Sequence, residues 1–242
     1  MTWSIVARDA RTGAVGAAVA TRFLAAAGLC LNAAAGVGAL STQATINPTY
    51  GPRGLQLLRD GLSAAGAVRS LVDSDHGRAH RQVHAVDAAG GTAAHTGADC
   101  VPWAGHVSGD GVSVAGNLLS GPGVVEQTLA GYTAAADLPF AERLLAALAA
   151  GQRAGGDARG QQSAGILIYG TEDYPDLSLR VDDHATPVAE LRRLYDLWLG
   201  DFAAARKYMA TRADPVGVYD PEVIDAEVRR RELDPANRVY PV

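Results

Sequence analysis

Five groups of residues in this chain are of the types that reactions need. The first is a hydroxyl at the start: removal of Met1 would leave Thr2 with a nucleophilic Oγ and a free α-amine on one residue. Such an amine has a reference pKa of about 8, close enough to neutrality to serve as a general base. The second is Ser41-Thr42-Gln43, at the end of an apolar run. Polar side chains there either meet a ligand or simply alternate outward. The third is Asn117, which closes one run and precedes Leu118-Leu-Ser-Gly121. An amide in that place either completes an oxyanion site or forms a turn. The fourth is Gly156-Asp-Ala-Arg-Gly160 followed by Gln161, Gln162 and Ser163. Arg159 could clamp a substrate carboxylate bidentately, or pair with Asp157 at the surface for little gain. The fifth, Arg180-Val-Asp-Asp-His184, offers Asp182 and His184 for acid–base or positioning work, or for capping a turn.

Other chemistries lack their motifs. Neither a Gly-x-Ser-x-Gly elbow nor a phosphate loop ending in Gly-Lys-Ser/Thr occurs, and Gly36-Val-Gly38 lacks the rest of a dinucleotide fingerprint. His76 and His80, with Asp73 and Asp75 nearby, could form a metal pair on a helix, but Gly77 interrupts that helix, so no metal is expected. A net charge of −5 argues against nucleic acid as a partner. No apolar stretch reaches membrane-spanning length, and no charged segment with a following apolar run precedes the first strand, so neither a membrane span nor a secretory leader is expected. Cys30 and Cys100 form no disulfide framework, which makes the cytoplasm the expected compartment.

These residues need elements to position them. Thr2 to Ala7 is β-branched and aromatic, Asp9 to Gly13 is a polar turn, and Ala14 to Ala20 is a continuous apolar run fit for a strand buried on both faces. Further strands are expected at Leu29–Ala34 and Gly36–Ala44. Helices are expected at Leu55–Asp60 and, capped by Ser63, at Ala64–Val72. Gln82–Asp87 with Thr92–Thr96, and Gly105–Ser108 with Val112–Asn117, read as hairpins, the second closed by Gly109-Asp-Gly111. Helices Gly123–Ala136 and Pro139–Arg153, strands Ser163–Tyr169 and Leu177–Asp182, and a helix Pro187–Arg206 follow. The order points to antiparallel sheets with helices packed outside, an α+β layered fold. The proline-richer end is expected to add one helix, Glu222–Glu232, dividing the chain into a domain 1–206 and an extension 207–242.

Several of these stretches together resemble one family. Thr2-Trp-Ser-Ile-Val-Ala-Arg-Asp9, Gly38-Ala-Leu-Ser-Thr-Gln43, Asn47-Pro-Thr-Tyr-Gly-Pro-Arg-Gly54, Trp103-Ala-Gly105, Gly116-Asn-Leu-Leu119, Gly155-Gly-Asp-Ala-Arg-Gly160 with Gln162-Ser-Ala164, and Arg180-Val-Asp-Asp-His184 are similar to the domain of unknown function 1028 family. The resemblance runs in order from residue 2 to about residue 199. It implies membership of the N-terminal nucleophile (Ntn) hydrolase superfamily and a four-layer αββα sandwich, with two antiparallel sheets between helix layers. Thr2 then falls where the nucleophile falls. Ala20-Thr-Arg22 resembles the acidic-Ser-Arg turn of proteasome-type subunits, with Ala20 in the place of the acid. The lysine such subunits use has no counterpart, because Lys207 is the chain's one lysine.

The resemblance therefore implies Thr2 activated by its own amine, with Thr42 and Asn117 as neutral hydrogen bonders and no cofactor. Arg22, Asp157, Arg159, Gln162, Ser163, Asp182 and His184 are the expected substrate-binding residues. The expected substrate is a small molecule carrying an amide or related C–N bond. The alternative is an inactive member of the fold that binds a small molecule near Asp157, Arg159 and His184. A homodimer is expected on symmetry grounds.

Overall fold

The computed structural model describes residues 2–200 and 202–232. In chain order, β1 (Thr2–Arg8) and β2 (Val15–Thr21) form a hairpin, followed by the single turn α1 (Ala27–Cys30) and by β3 (Leu31–Ala34) and β4 (Gly38–Ala44). Helices α2 (Tyr50–Arg59) and α3 (Ala64–Asp73) precede two hairpins, β5 (Arg81–Asp87) with β6 (Thr92–Thr96) and β7 (Gly105–Gly109) with β8 (Val112–Asn117). Then come α4 (Gly123–Ala134), α5 (Phe140–Arg153), β9 (Ser163–Tyr169), β10 (Leu177–Val181), α6 (Pro187–Gly200), α7 (Phe202–Ala205) and α8 (Pro221–Glu232).

The strands form two antiparallel sheets, one in the order β10-β9-β2-β1-β8-β7 and one in the order β3-β4-β5-β6. The fold is thus α+β, with helices flanking both sheets. Strand alternation decides which residues meet between the sheets. Val6, Val15, Ala17 and Val19 of the larger sheet pack against Ala33, Ala39 and Val86 of the smaller one. On the other face of the smaller sheet, Leu40 and Val83 pack against Tyr50, Leu55, Val68 and Leu71 of α2 and α3. On the other face of the larger sheet, Trp3 and Gly16 approach α5, where a Cβ on Gly16 would stand 3.0 Å from the Phe140 ring. The small residues of β2 are all buried, which explains a strand with so little side-chain volume.

Some boundaries differ from the sequence expectation. Leu29 and Cys30 belong to α1 rather than to a strand, and only Leu31–Ala34 is extended. Helix α2 begins at Tyr50, five residues before Leu55. Pro52 lies in its first turn, where the backbone N–H has no helical acceptor in any case, so the proline opens the helix instead of blocking it. The helix expected at Pro187–Arg206 is described over Pro187–Gly200 and Phe202–Ala205, on either side of residue 201. As expected, the Ser63 hydroxyl accepts from the Gly66 N–H at 3.2 Å at the start of α3.

Gly38 joins β4 at a φ of +150°, and a Cβ there would come within 2.3 Å of the Val86 carbonyl oxygen. Gly38→Ala is therefore expected to cost about 2–4 kcal/mol through strain and overpacking, lowering Tm by roughly 5–15 °C in a thermal melt.

The chain divides into two compact units, Met1–Leu191 and Arg192–Val242. Within the second, the Tyr195 and Trp198 rings stack at 6.0 Å and Phe202 lies 6.4 Å from Trp198. Among the described residues no helix is long and apolar enough to cross a membrane.

Candidate active site

Thr2 is the first residue of the central strand and pairs with a polar residue on each side, Thr21 on β2 and Asn117 on β8. Residues directly paired across an antiparallel ladder point to the same face. Thr2, Thr21 and Asn117 therefore all face the smaller sheet, at one end of the sandwich. The Thr2 Oγ1 donates to Thr21 Oγ1 at 3.1 Å. Thr2 also lines a pocket of about 80 Å³, together with Phe23, Ala26, Leu29, Cys30, Gln43, Ala44 and Ile46. Burial pushes the Cys30 thiol up to about 12, so it is a neutral apolar wall at physiological pH.

Behind Thr2 lies a buried polar network. Gln43 Nε2 donates to the Thr2 carbonyl at 3.3 Å, to the Ala115 carbonyl at 3.1 Å and to Gln82 Oε1 at 2.8 Å. Gln82 Oε1 also accepts from Asn117 Nδ2 at 3.0 Å, while Gln82 Nε2 reaches the Gly116 and Gly105 carbonyls. Gln43 Oε1 accepts from the Ser4 hydroxyl at 2.7 Å. Ser4 Oγ lies 2.8 Å from His84 Nε2, and His84 Nδ1 lies 3.2 Å from Ser113 Oγ. Because Ser4 spends its one proton on Gln43, it accepts from His84, which places the imidazole proton on Nε2. The network ties the start of β1 to both of its neighbours and to the opposite sheet. It fixes the height of the Thr2 backbone without using an ionised group.

Among the described residues, three non-glycine residues have left-handed backbones, Ala25 at φ 51°, Ala44 at φ 71° and Leu118 at φ 52°. Ala44 lines the pocket, Ala25 precedes a lining residue and Leu118 follows Asn117. Such conformations cost on the order of 1–3 kcal/mol each and persist where the surroundings over-determine them.

The wall formed by Ala44 and Ile46 is held from below by Asp75. Its Oδ2 accepts from Tyr50 Oη at 2.9 Å, Asn47 Nδ2 at 3.1 Å and Arg81 Nε at 3.1 Å, and its Oδ1 accepts from the Gly77 N–H at 2.7 Å. Arg81 also donates to the Thr45 carbonyl. Burial works to raise the Asp75 pKa, but the hydrogen bonds from Asn47, Gly77, Tyr50 and Arg81 outweigh it and hold the carboxyl well below its ordinary value. The Asn47-Pro-Thr-Tyr stretch thus anchors the pocket wall. Asp75→Asn is expected to cost about 2 kcal/mol and to shift the acid limb of the stability curve. The wild type loses this contribution as pH falls below the ordinary carboxylate range, whereas the variant lacks it at every pH. Urea titrations between pH 3 and pH 7 measure the difference.

The remaining expected site residues fall into two places. Asp157 is buried and accepts from the Arg22 N–H at 2.8 Å and from the Arg159 N–H at 2.9 Å, while its carboxylate also holds the Arg159 guanidinium, with Nη2 at 3.1 Å. The Arg159 guanidinium is thus engaged by its own loop. Arg22 Nη1 donates to Gln162 Oε1 at 2.9 Å, and Gln162 Nε2 donates to Asp183 Oδ1 at 3.1 Å, forming an exposed polar strip. The His184 N–H donates to the Gln162 carbonyl, and His184 Nδ1 accepts from the Thr186 N–H. Ser163 pairs with Thr21 on β2 and donates to the Phe23 carbonyl at 2.6 Å, so it supports the pocket segment from the third strand. Asp182 is engaged by Arg180 at 2.7 Å. Thr42 faces α2 rather than Thr2, and its hydroxyl donates to the Asn47 carbonyl at 3.3 Å. Alternation puts its neighbour Gln43 on the Thr2 side. His80 and Asp99 stand 3.6 Å apart at the surface.

Ser4, Thr21, Gln82 and His84 complete the surroundings of Thr2 beside Gln43 of the second candidate group, and none of the four is among the expected site residues. Gln82 and His84 carried a readable signal, since they share one face of a strand whose other face is apolar. The apolar lining from α1 and the β4–α2 loop carried none.

An α+β fold of two facing antiparallel sheets, with a hydroxyl residue at the head of the central strand and beside a pocket, is the class these observations define. The chain belongs to the family of unknown function DUF1028, whose model matches residues 2–191. It is similar to protein SPO2555 from Silicibacter pomeroyi, a crystal structure of the same family, at 35% identity and a TM-score of 0.85, covering 90% of this chain and 96% of that one. The ancestral beta-subunit Anbu from Yersinia bercovieri aligns at 12% identity and a TM-score of 0.38, over 81% of this chain and 94% of that one. A likeness at that level carries no argument. No curated protein matches the chain.

Proposed function

We propose that the chain is an Ntn-type amidohydrolase, a four-layer αββα sandwich that cleaves a small amide or related C–N bond with Thr2 as its N-terminal nucleophile once Met1 is removed. The observation that carries this reading is the placement of Thr2. It lines the pocket at the head of the central strand, paired with Thr21 on one side and Asn117 on the other. In the reaction the Thr2 Oγ attacks the substrate carbonyl and its proton passes to the Thr2 α-amine. The tetrahedral oxyanion is held by the Asn117 amide and backbone N–H groups. Collapse breaks the C–N bond as the α-ammonium gives its proton to the leaving nitrogen. Water then attacks the Thr2 ester, with the same amine as base, and releases the acid. Thr42 acts at a distance, by holding the β4–α2 loop. Arg22, Gln162 and His184 form the polar edge against which the leaving portion is released. Asp157, Arg159, Ser163 and Asp182 keep that edge in shape.

The experiment pairs intact mass with turnover. Protein made untagged from its own start codon is expected to lack one methionine and to release amine from small amides. Processed protein that turns over no small amide or ureido compound sinks the proposal.

A further inference from the structure

The pocket beside Thr2 says which half of the substrate it takes. Its polar side chains are those of Thr2 and Gln43, the rest being Phe23, Ala26, Leu29, Cys30, Ala44 and Ile46. Gln43 has no donor left to offer a ligand. Its amide nitrogen serves Gln82 and two backbone carbonyls, and its oxygen accepts from Ser4. The Cys30 thiol is kept neutral by burial. Beyond the Thr2 hydroxyl the lining side chains are therefore apolar or have their donors spent, and a carboxylate entering among them would be desolvated without a side-chain partner, at a cost of several kcal/mol. The one guanidinium suited to a carboxylate in the Asp157 loop is engaged by Asp157.

Resting on the amidohydrolase reading, we propose that the pocket binds the acyl half of the substrate, and that this half is a short aliphatic chain. Two features place the acyl half there rather than the amine. Ala26 and Cys30, which line it, are both 4% exposed and belong to the core cluster, so the pocket reaches into the core. The group that must stay between acylation and deacylation is the one esterified to Thr2. The leaving amine must escape instead, and the exposed Arg22–Gln162–Asp183 strip offers it hydrogen bonds and water. A volume of about 80 Å³ sets the length. At 10–15 Å³ for each water-sized group, it holds about five to eight methylene-sized units.

The test uses processed protein and acyl amides of 7-amino-4-methylcoumarin, from acetyl to decanoyl, with succinyl as the charged comparison. The expected kcat/KM rises about fourfold per methylene over the first members, then levels between hexanoyl and nonanoyl, and the succinyl amide is at least about 100-fold poorer than the butanoyl amide. Leu29 is half exposed at the pocket mouth, so Leu29→Asp folds and flattens the chain-length series. Ile46→Ser, at the opposite wall, flattens it partly. A second series holds butanoyl constant and lengthens an alkylamine leaving group, with little expected effect. Turnover that ignores acyl length and climbs with amine length overturns the acyl assignment and leaves the hydrolase reading standing. The opposite split is read by calorimetry on Thr2→Ala with butanamide, pentanamide and hexanamide. Tightening along that series, lost in Leu29→Asp, upholds the pocket assignment even where the wild type turns nothing over and the hydrolase reading falls. Absence of both turnover and binding overturns the two together.

Discussion

Thr2→Ala is expected to lower kcat/KM on any amide the wild type cleaves by about 10³-fold or more, with a loss of Tm of only a few degrees. The nucleophile and the proton acceptor sit on one residue in the proposed mechanism, so deleting Oγ removes the covalent route outright. The structural cost is small because the hydroxyl donates to a neutral group, Thr21 Oγ1 at 3.1 Å, and a hydrogen bond of that kind contributes about 1 kcal/mol. The backbone of residue 2 stays where it is, held by its ladder partners and by Gln43 Nε2 on its carbonyl. Thr2→Ser keeps Oγ and the amine and is expected to retain a substantial fraction of the activity. Wild-type protein with Met1 left in place is expected to be as inactive as Thr2→Ala, because its α-nitrogen is then an amide and accepts no proton. That comparison separates the base from the nucleophile without altering a side chain. The processed enzyme should also show kcat/KM rising with pH as an amine of reference pKa about 8 deprotonates. Thr2→Ala with full activity, or Met1-bearing protein with full activity, would remove Thr2 from the mechanism.

What the sequence showed and what it concealed divide along a physical line. The β1–β2 hairpin, the two later hairpins and the Ser63 cap were legible because each is settled within a dozen residues by alternation, turn chemistry or a cap. The short helix α1 was not, because Ala-Gly-Leu-Cys has no period and four residues cannot display one. The start of α2 was missed because Pro52 reads as a breaker until its place in the first turn is known. At the site, Thr2 and Asn117 were each picked out, but their direct pairing across β1 and β8 is a matter of register over 115 positions of chain. No local pattern encodes such a register. Thr42 was chosen beside Gln43, and one step of strand alternation turns the first toward α2 and the second toward Thr2. The pocket walls were invisible for a different reason. Phe23, Leu29 and Ile46 are ordinary apolar residues until three separate segments bring them to one place.

The same buried network yields a stability prediction of comparable size. Unfolding free energy is expected to fall by about 4–5 kcal/mol as pH drops from about 6.5 to about 3, at a slope approaching 1.4 kcal/mol per pH unit, with His84 as the cause. His84 is fully buried between the sheets, and desolvation, with a lesser contribution from His106, drives its pKa down to about 3, against a small opposing pull from Ser113. The unfolded chain takes up the imidazole proton as pH falls through the ordinary histidine range, and the folded chain does not. The unfolded state therefore binds more protons throughout the window, and stability declines with acid. The geometry agrees with a neutral ring. Ser113 donates to Nδ1, and Nε2–H donates to Ser4, whose own proton is committed to Gln43. A second ring proton would face the Ser113 hydroxyl donor and break that line. His106, which burial also lowers, adds to the slope in the same direction. Asp75 and Asp9 add theirs only at lower pH. Burial opposes their ionisation, but their hydrogen bonds prevail and hold both carboxyls below the ordinary value. The interval from pH 6.5 to pH 4.5 therefore isolates the histidines. Urea unfolding at half-unit steps across that interval should give the slope, and His84→Gln should lose most of it even though the variant starts from a lower stability at pH 7. A wild-type slope near zero there would mean that the imidazole takes its proton inside the fold, and the assigned direction of the Ser4–His84–Ser113 line would be wrong.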